Sequence, residues 1–102
     1  IIGGLTLDEP AADLATLVAI ASSYLDKPVP AKLAAIGEVG LSGEVRSVSH
    51  VPQRLSEVHR LGFDKCIVPA QQGDMLRAPD GLQLIPVKNI GQVLQLLAHD
   101  RL

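Results

Sequence analysis

The chain has 102 residues, with nine Lys and Arg against eleven Asp and Glu and a formal net charge of −2. That balance excludes nucleic-acid binding through overall charge, so any basic surface must be local. With 47% hydrophobic but only 2% aromatic residues, the chain is globular rather than disordered, and its core must be built from Leu, Val, Ile and Ala.

The length implies one domain, residues 1–102, burying roughly 65% of its unfolded surface. Ile1-Ile2-Gly3-Gly4 reads as the end of a strand without an initiator Met, so we expect a partial domain whose first strands lie upstream. Leu5-Thr6-Leu7 is strand-like. A helix is then expected from about Asp8 to Leu25, capped by Asp8 or Glu9, with Pro10 in its first turn, where the missing N–H costs nothing. Its stripe of Leu14, Leu17, Val18, Ala21 and Leu25, with Ala15, Ala19 and Ile20 beside it, predicts burial on most faces. Lys27-Pro28-Val29-Pro30 should stop it.

Residues 33–48, "LAAIGEVGLSGEVRSV", read as a hairpin turning at Ser42-Gly43. Gly37 and Gly40 inside its first run mark a bulge or a close backbone approach. A second helix spans residues 51–61, with Val51, Leu55, Val58 and Leu61 inward, Pro52 in its first turn and Gly62 as its stop. "KCIVPA", residues 65–70, is a short buried strand, followed by a loop with one helical turn. "LQLIPV", residues 82–87, is another strand. Asn89 caps a last helix to about Ala98, with Ile90, Val93, Leu94 and Leu97 inward. This order predicts α/β or two-layer α+β architecture, with helices packed on a mixed sheet and a βαβ crossover.

Few side chains offer chemistry. Cys66 lies in an apolar run and reads as a packing thiol. One cysteine excludes an internal disulfide and fits a reducing cytosol. His50, His59 and His99 have no metal-ligand spacing, so no metal site is expected. Gly37 to Gly43 lacks the Lys-Ser/Thr ending of a phosphate loop. Asp8, Glu9 and Asp13 are read as helix-dipole and capping residues. Arg46, Arg54, Arg60 and Lys65, with His50 and His59, are more concentrated, although Glu44, Glu57 and Asp64 interleave them. They form either an ordinary solvated face or one edge of a phosphate-contacting surface. No apolar run spans a bilayer and no basic n-region precedes an apolar h-region, so a cytoplasmic, membrane-free protein is expected.

"GGLTLDEPAADLA", "IGEVGLSGEVRSV" and "RLSEVHRLGFDKCIVPA", in this order and spacing, resemble the C-terminal Lon-protease-like domain of the RadA (Sms) family of bacterial DNA-repair proteins. The resemblance covers Gly3 to about Leu97. It implies a Lon C-terminal-domain-like fold, related to ribosomal protein S5 domain 2. It also implies that Ala11 stands where Lon proteases carry their nucleophilic serine, and Pro52 where they carry the partner lysine. No catalytic residue is then expected, because a Ser–Lys dyad needs both a hydroxyl and an amine. Gly37 and Glu38 match a "TGE" strand of Lon and look structural. The family further implies a hexameric, ATP-driven protein acting on DNA recombination intermediates. Its zinc motif and RecA-like ATPase lie upstream, so ATP, Mg and Zn belong to those domains and no cofactor to this chain. On this reading the partners are further copies of the protein and DNA, with Arg46 foremost in DNA contact and Arg54 and Arg60 beside it. A protein-recruitment domain without a DNA role, and a peptidase using Ser42 or Ser49 with Lys65, are the alternatives.

Overall fold

The computed structural model describes residues 10–73 and 77–102. The expected cap at Asp8 or Glu9 and the strand end at Ile1–Gly4 lie outside them. A 3-10 turn at Pro10–Ala12 leads into α1 (Asp13–Leu25). There follow β1 (Leu33–Ala35), β2 (Glu38–Val39), β3 (Val45–Arg46), α2 (Val51–Arg60), β4 (Lys65–Pro69), α3 (Ala70–Gly73), β5 (Gln83–Val87) and α4 (Ile90–Ala98).

The parallel strands form one sheet in the order β1-β4-β5. Ala34 faces Cys66 across β1 and β4, and Cys66 faces Leu84 across β4 and β5. Alternation along β1 and β4 sends side chains to both faces, and each face has a helix layer. Ala34, Ile36, Cys66 and Val68 pack with Val51, Leu55 and Val58 of α2. Leu33, Ala35 and Ile67 pack with Leu14, Ala15 and Val18 of α1 and Val93 of α4. The class is therefore α/β, with α2 on one face and α1 and α4 on the other.

The hairpin expected over residues 33–48 is divided. Its first run belongs to two sheets: β1 pairs in parallel with β4, while β2 pairs antiparallel with β3 in a separate ribbon. The chain changes sheets at Gly37, where the backbone clasps the start of α1. The Gly37 N–H donates to the Ala11 C=O, and the Leu14 N–H donates to the Gly37 C=O, both at 3.0 Å. A Cβ on Gly37 would lie 3.0 Å from Leu14 Cδ2 and from Val45 Cγ1, so this is the close approach that the glycine anticipated. At the ribbon's tip, the Gly43 N–H donates to the Gly40 C=O (3.0 Å) and Gly43 has φ +81°. Only glycine enters that left-handed region at no steric cost.

The ribbon's far edge is pinned as well. The Val45 N–H donates to the Lys88 C=O and the Ile90 N–H to the Gly43 C=O, each at 2.9 Å. Gln72 lies below the ribbon's exit and acts as a surrogate strand. Its amide accepts from the Val48 N–H (3.2 Å) and donates to the Val48 C=O (2.9 Å).

Four helix expectations need correction. α1 ends at Leu25 because Asp26 turns into the left-handed region (φ 52°), letting the Lys27 N–H reach the Ser22 C=O; the prolines come after the stop. α1 is not buried on most faces: Leu14, Ala15 and Val18 are buried, but Ile20 is 59% and Tyr24 88% exposed. The sheet and α4 cover only one side of it. On α4, Val93 and Leu97 are buried as expected, while Leu94 is exposed and Leu96 packs inward in its place. Leu61 is also exposed, since α2 ends at Arg60 and Gly62 (φ +94°) turns the chain away. Asn89 caps α4 as expected, its Oδ1 accepting from the Gln92 N–H at 2.9 Å.

Two predictions follow from the core. Gly37→Ala forces Leu14 and Val45 apart, and should lower stability to chemical denaturation by about 1–3 kcal/mol, the usual range for overpacking. Cys66 is fully buried, and desolvation pushes its thiol from 9.0 to about 12. Between those values the unfolded chain releases a proton that the folded chain keeps, so stability falls as pH rises, by at most about 1.4 kcal/mol per pH unit. Urea denaturation of the natural chain and of Cys66→Ala across this range should give diverging curves; parallel curves would show that the thiol titrates alike in both states.

Candidate functional site at the strand ends

α/β sheets place their ligand-binding crevices at the carboxyl ends of their strands. Ala11 and Pro52, the two positions singled out by the resemblance, both fall there. α2 returns the chain from the end of β1, through the ribbon, to the start of β4, so its first turn lies at the carboxyl ends of the strands. Pro52 occupies that first turn and is exposed. Ala11 lies in the 3-10 turn clasped to Gly37 just beyond β1. It packs in one cluster with Ile36, Val51 and Val68. The residue is only 3% exposed. The junction is therefore filled by hydrocarbon.

Polar groups near this junction are occupied by structure. The Asp13 carboxylate accepts from the Val39 N–H at 3.4 Å, joining the first turn of α1 to the ribbon. The Thr16 hydroxyl donates back to the Ala12 C=O at 3.1 Å. Ser42 sits at the exposed ribbon tip and Ser49 in the exposed approach to α2, while Lys65 opens β4; no contact among the described residues joins either serine to Lys65. Among the described residues no group of three or more His, Cys, Asp or Glu is placed to hold a metal ion. His50 precedes α2 in the left-handed region, His59 is in its last turn, and His99 follows α4.

The candidate arginines lie on two elements. Arg46 is on β3, directly opposite Glu38 on β2. Its Nη2 and Nε donate to Glu44 Oε2 at 2.9 and 3.2 Å, and its Nη1 lies 3.9 Å from Glu38 Oε1. Glu44 is two residues before Arg46, a spacing that puts both on one side of a strand. The Glu44 carboxyl is held below the usual carboxylate range, first by its own backbone N–H and then by Arg46. Arg60 pairs with Glu57 one turn earlier, which lowers the Glu57 carboxyl and raises the guanidinium. Arg54 donates from Nε to the Ser49 C=O at 2.8 Å, tying down the approach to α2. Arg54 and Arg60 lie six helical positions apart, a rotation of about 120° around the axis, so they face different directions. The carboxylate partners were visible in the sequence as interleaved acids; their two- and three-residue spacings were the signal for pairing.

A groove of about 460 Å³ lies between β5 and α4, lined by Val87, Gln92, Leu96, His99 and Arg101. None of Ala11, Pro52, Arg46, Arg54 or Arg60 lines it. No helix among the described residues is long and apolar enough to cross a membrane.

Residues 2–99 match the family model of the Lon protease (S16) C-terminal proteolytic domain. The chain is similar to proteins named DNA repair protein RadA. It is 46% identical over 93 residues to that of Streptococcus pyogenes and 47% identical over 93 residues to that of Bacillus subtilis. Each match covers 91% of this chain and 20% of the relative. The likeness to the RadA of Listeria monocytogenes is 43% over 98 residues, covering 96% of this chain and 21% of the relative. The chain thus spans about one fifth of the length of the curated relatives it matches.

Proposed function

The chain belongs to the Lon protease (S16) C-terminal domain family, and from that premise we propose that it is a non-proteolytic member: a scaffold domain of a RadA-type DNA repair and recombination ATPase. On this reading it supports hexameric assembly and contributes DNA contacts during branch migration in the cytoplasm. ATP, Mg and Zn chemistry belongs to other domains of that protein.

The observation that carries this reading is the filled junction. We assign the family's nucleophile position to Ala11, whose methyl group is buried against Ile36 and Val51, and its lysine position to Pro52. Neither side chain can donate or accept a proton, and a Ser–Lys mechanism requires both transfers. Room is absent as well as chemistry: a substrate carbonyl would have to displace core packing to reach this place.

The assembly role is supported by apolar side chains on the surface. Ile20 and Tyr24 project from α1, and Leu41 is fully exposed at the ribbon tip. Such a surface is suited to contacts with other parts of an assembly. The DNA role is supported by Arg46 on the same ribbon, where a guanidinium fork suits phosphate recognition. Its pairing with Glu44 and Glu38 is solvent-exposed, and exposed pairs of this kind are weak enough to exchange partners.

The test uses the full-length protein. We expect no turnover of casein or unstructured peptides and clear binding to duplex DNA. Arg46→Ala should weaken that binding similarly across sequences. It should also flatten the log–log salt dependence by roughly 0.9 for each engaged copy, with assembly unchanged. Peptide turnover by the natural protein would overturn the non-proteolytic reading. An unchanged salt slope with a broken assembly would make Arg46 an interface residue instead.

A further inference from the structure

The ribbon tip holds its own anion. Three N–H groups converge on the Glu44 carboxylate. The Ser42 backbone amide donates to Oε1 at 3.1 Å, and Nε and Nη2 of Arg46 donate to Oε2 at 3.2 and 2.9 Å. The carboxylate folds back over Gly40, where a Cβ would collide with the carboxyl carbon and with both oxygens. A bare glycine, a turn amide and a guanidinium fork therefore surround one doubly oxygenated, negatively charged group. Backbone amides in turns and arginine forks are the donors that hold phosphate oxygens.

We propose that this cradle is a binding site for a nucleic-acid phosphodiester, and that the Glu44 carboxylate is an internal stand-in which the phosphate displaces. The proposal rests on the reading of Arg46 as a phosphate contact and adds what that contact must exchange. In the exchange, the three donors pass from carboxylate to phosphate oxygens and the Glu44 side chain swings into solvent. The turn itself stays closed, because Gly43 N–H to Gly40 C=O and Gly40 N–H to Glu44 C=O hold it independently; the one backbone donor released, the Ser42 N–H, passes to the phosphate. Arg46 and Glu44 are each about half exposed, so opening their pair costs little. Glu44 stays ionised at neutral pH, since its own N–H and Arg46 favour the charged form; the stand-in therefore competes under ordinary conditions. The consequence is a threshold: a lone phosphate gains little over the carboxylate it replaces, whereas a duplex engaged by several copies overcomes the competition through avidity.

Gly40→Ala offers a test that leaves the net charge unchanged. The added methyl group evicts the Glu44 carboxylate but keeps Glu44 and Arg46 in place. Glu44→Gln removes the competing charge directly and serves as the second variant. Affinity of the full-length protein for a fluorescein-labelled mixed-sequence duplex is read by anisotropy, with folding checked by thermal melting. Each variant should bind about two- to fivefold more tightly than the natural protein, as expected for releasing one exposed ion pair, and adding Arg46→Ala to either should abolish the gain. If Arg46→Ala weakens binding while Gly40→Ala leaves it unchanged or weaker, the stand-in idea is wrong and the phosphate contact survives; a gain from Glu44→Gln alone would mark a general charge effect and also overturn it. If Arg46→Ala itself has no effect, the reading of Arg46 fails and takes the proposal with it.

Discussion

The structure depends on a pair of backbone hydrogen bonds at Gly37. This residue receives the start of α1 by donating to Ala11 and accepting from Leu14, and it does so at the point where the chain leaves the parallel sheet for the ribbon. The exchange works only because Gly37 has no side chain: Leu14 and Val45 fill the space that a Cβ would need. Ala11 is thereby drawn into the α2 side of the core and Leu14 into the α1 side. One clasp thus fixes the sheet, the ribbon and the junction between them. It also determines what the junction can do, because a residue held at Ala11 faces packed hydrocarbon rather than a cleft.

Much of this was legible in the sequence, for reasons that are local. Gly43, Gly62 and Asn89 announced a turn, a helix stop and a helix cap, since each role is set by a single residue's backbone freedom or side-chain acceptor. The spacing of Val51, Leu55 and Val58 identified the buried face of α2. The division of residues 33–48 was not legible. A run of β-forming residues shows that a strand exists and does not show which partner its edge will meet; Leu33–Ala35 met β4 and Glu38–Val39 met β3. The exposure of Ile20 and Tyr24 was hidden for the same kind of reason, because small and apolar residues around α1 record a tolerance for burial, while the layers that pack against it decide how much occurs. Asp26 shows the limit of the proline rule: a left-handed residue ended α1 before any proline was reached.

The candidate site divides in the same way. Ala11 and Pro52 were singled out by resemblance alone; both stand at the carboxyl ends of the strands, with Ala11 buried. Arg46 was singled out for its place after the "GEV" run, but its engagement by Glu44 and Glu38 changes its character. It is a cation already holding an anion, at a turn whose glycines leave room for one. The charge of −2 makes the same point at the scale of the chain. Contact with a polyanion would come from local exchange of partners and from multiple copies rather than from long-range attraction.

The junction at Ala11 is closed by packing against Ile36, Val51 and Val68. Introducing a hydroxyl there is the direct measurement: Ala11→Ser, compared with the natural chain for stability in urea and for labelling by a serine-directed phosphonylating probe. A hydroxyl placed among Ile36, Val51 and Val68 has no partner to replace water, and should cost about 1–3 kcal/mol, with no labelling of the folded protein. A variant that keeps its full stability and reacts with the probe would show an open, preorganised site at Ala11 rather than a packed one.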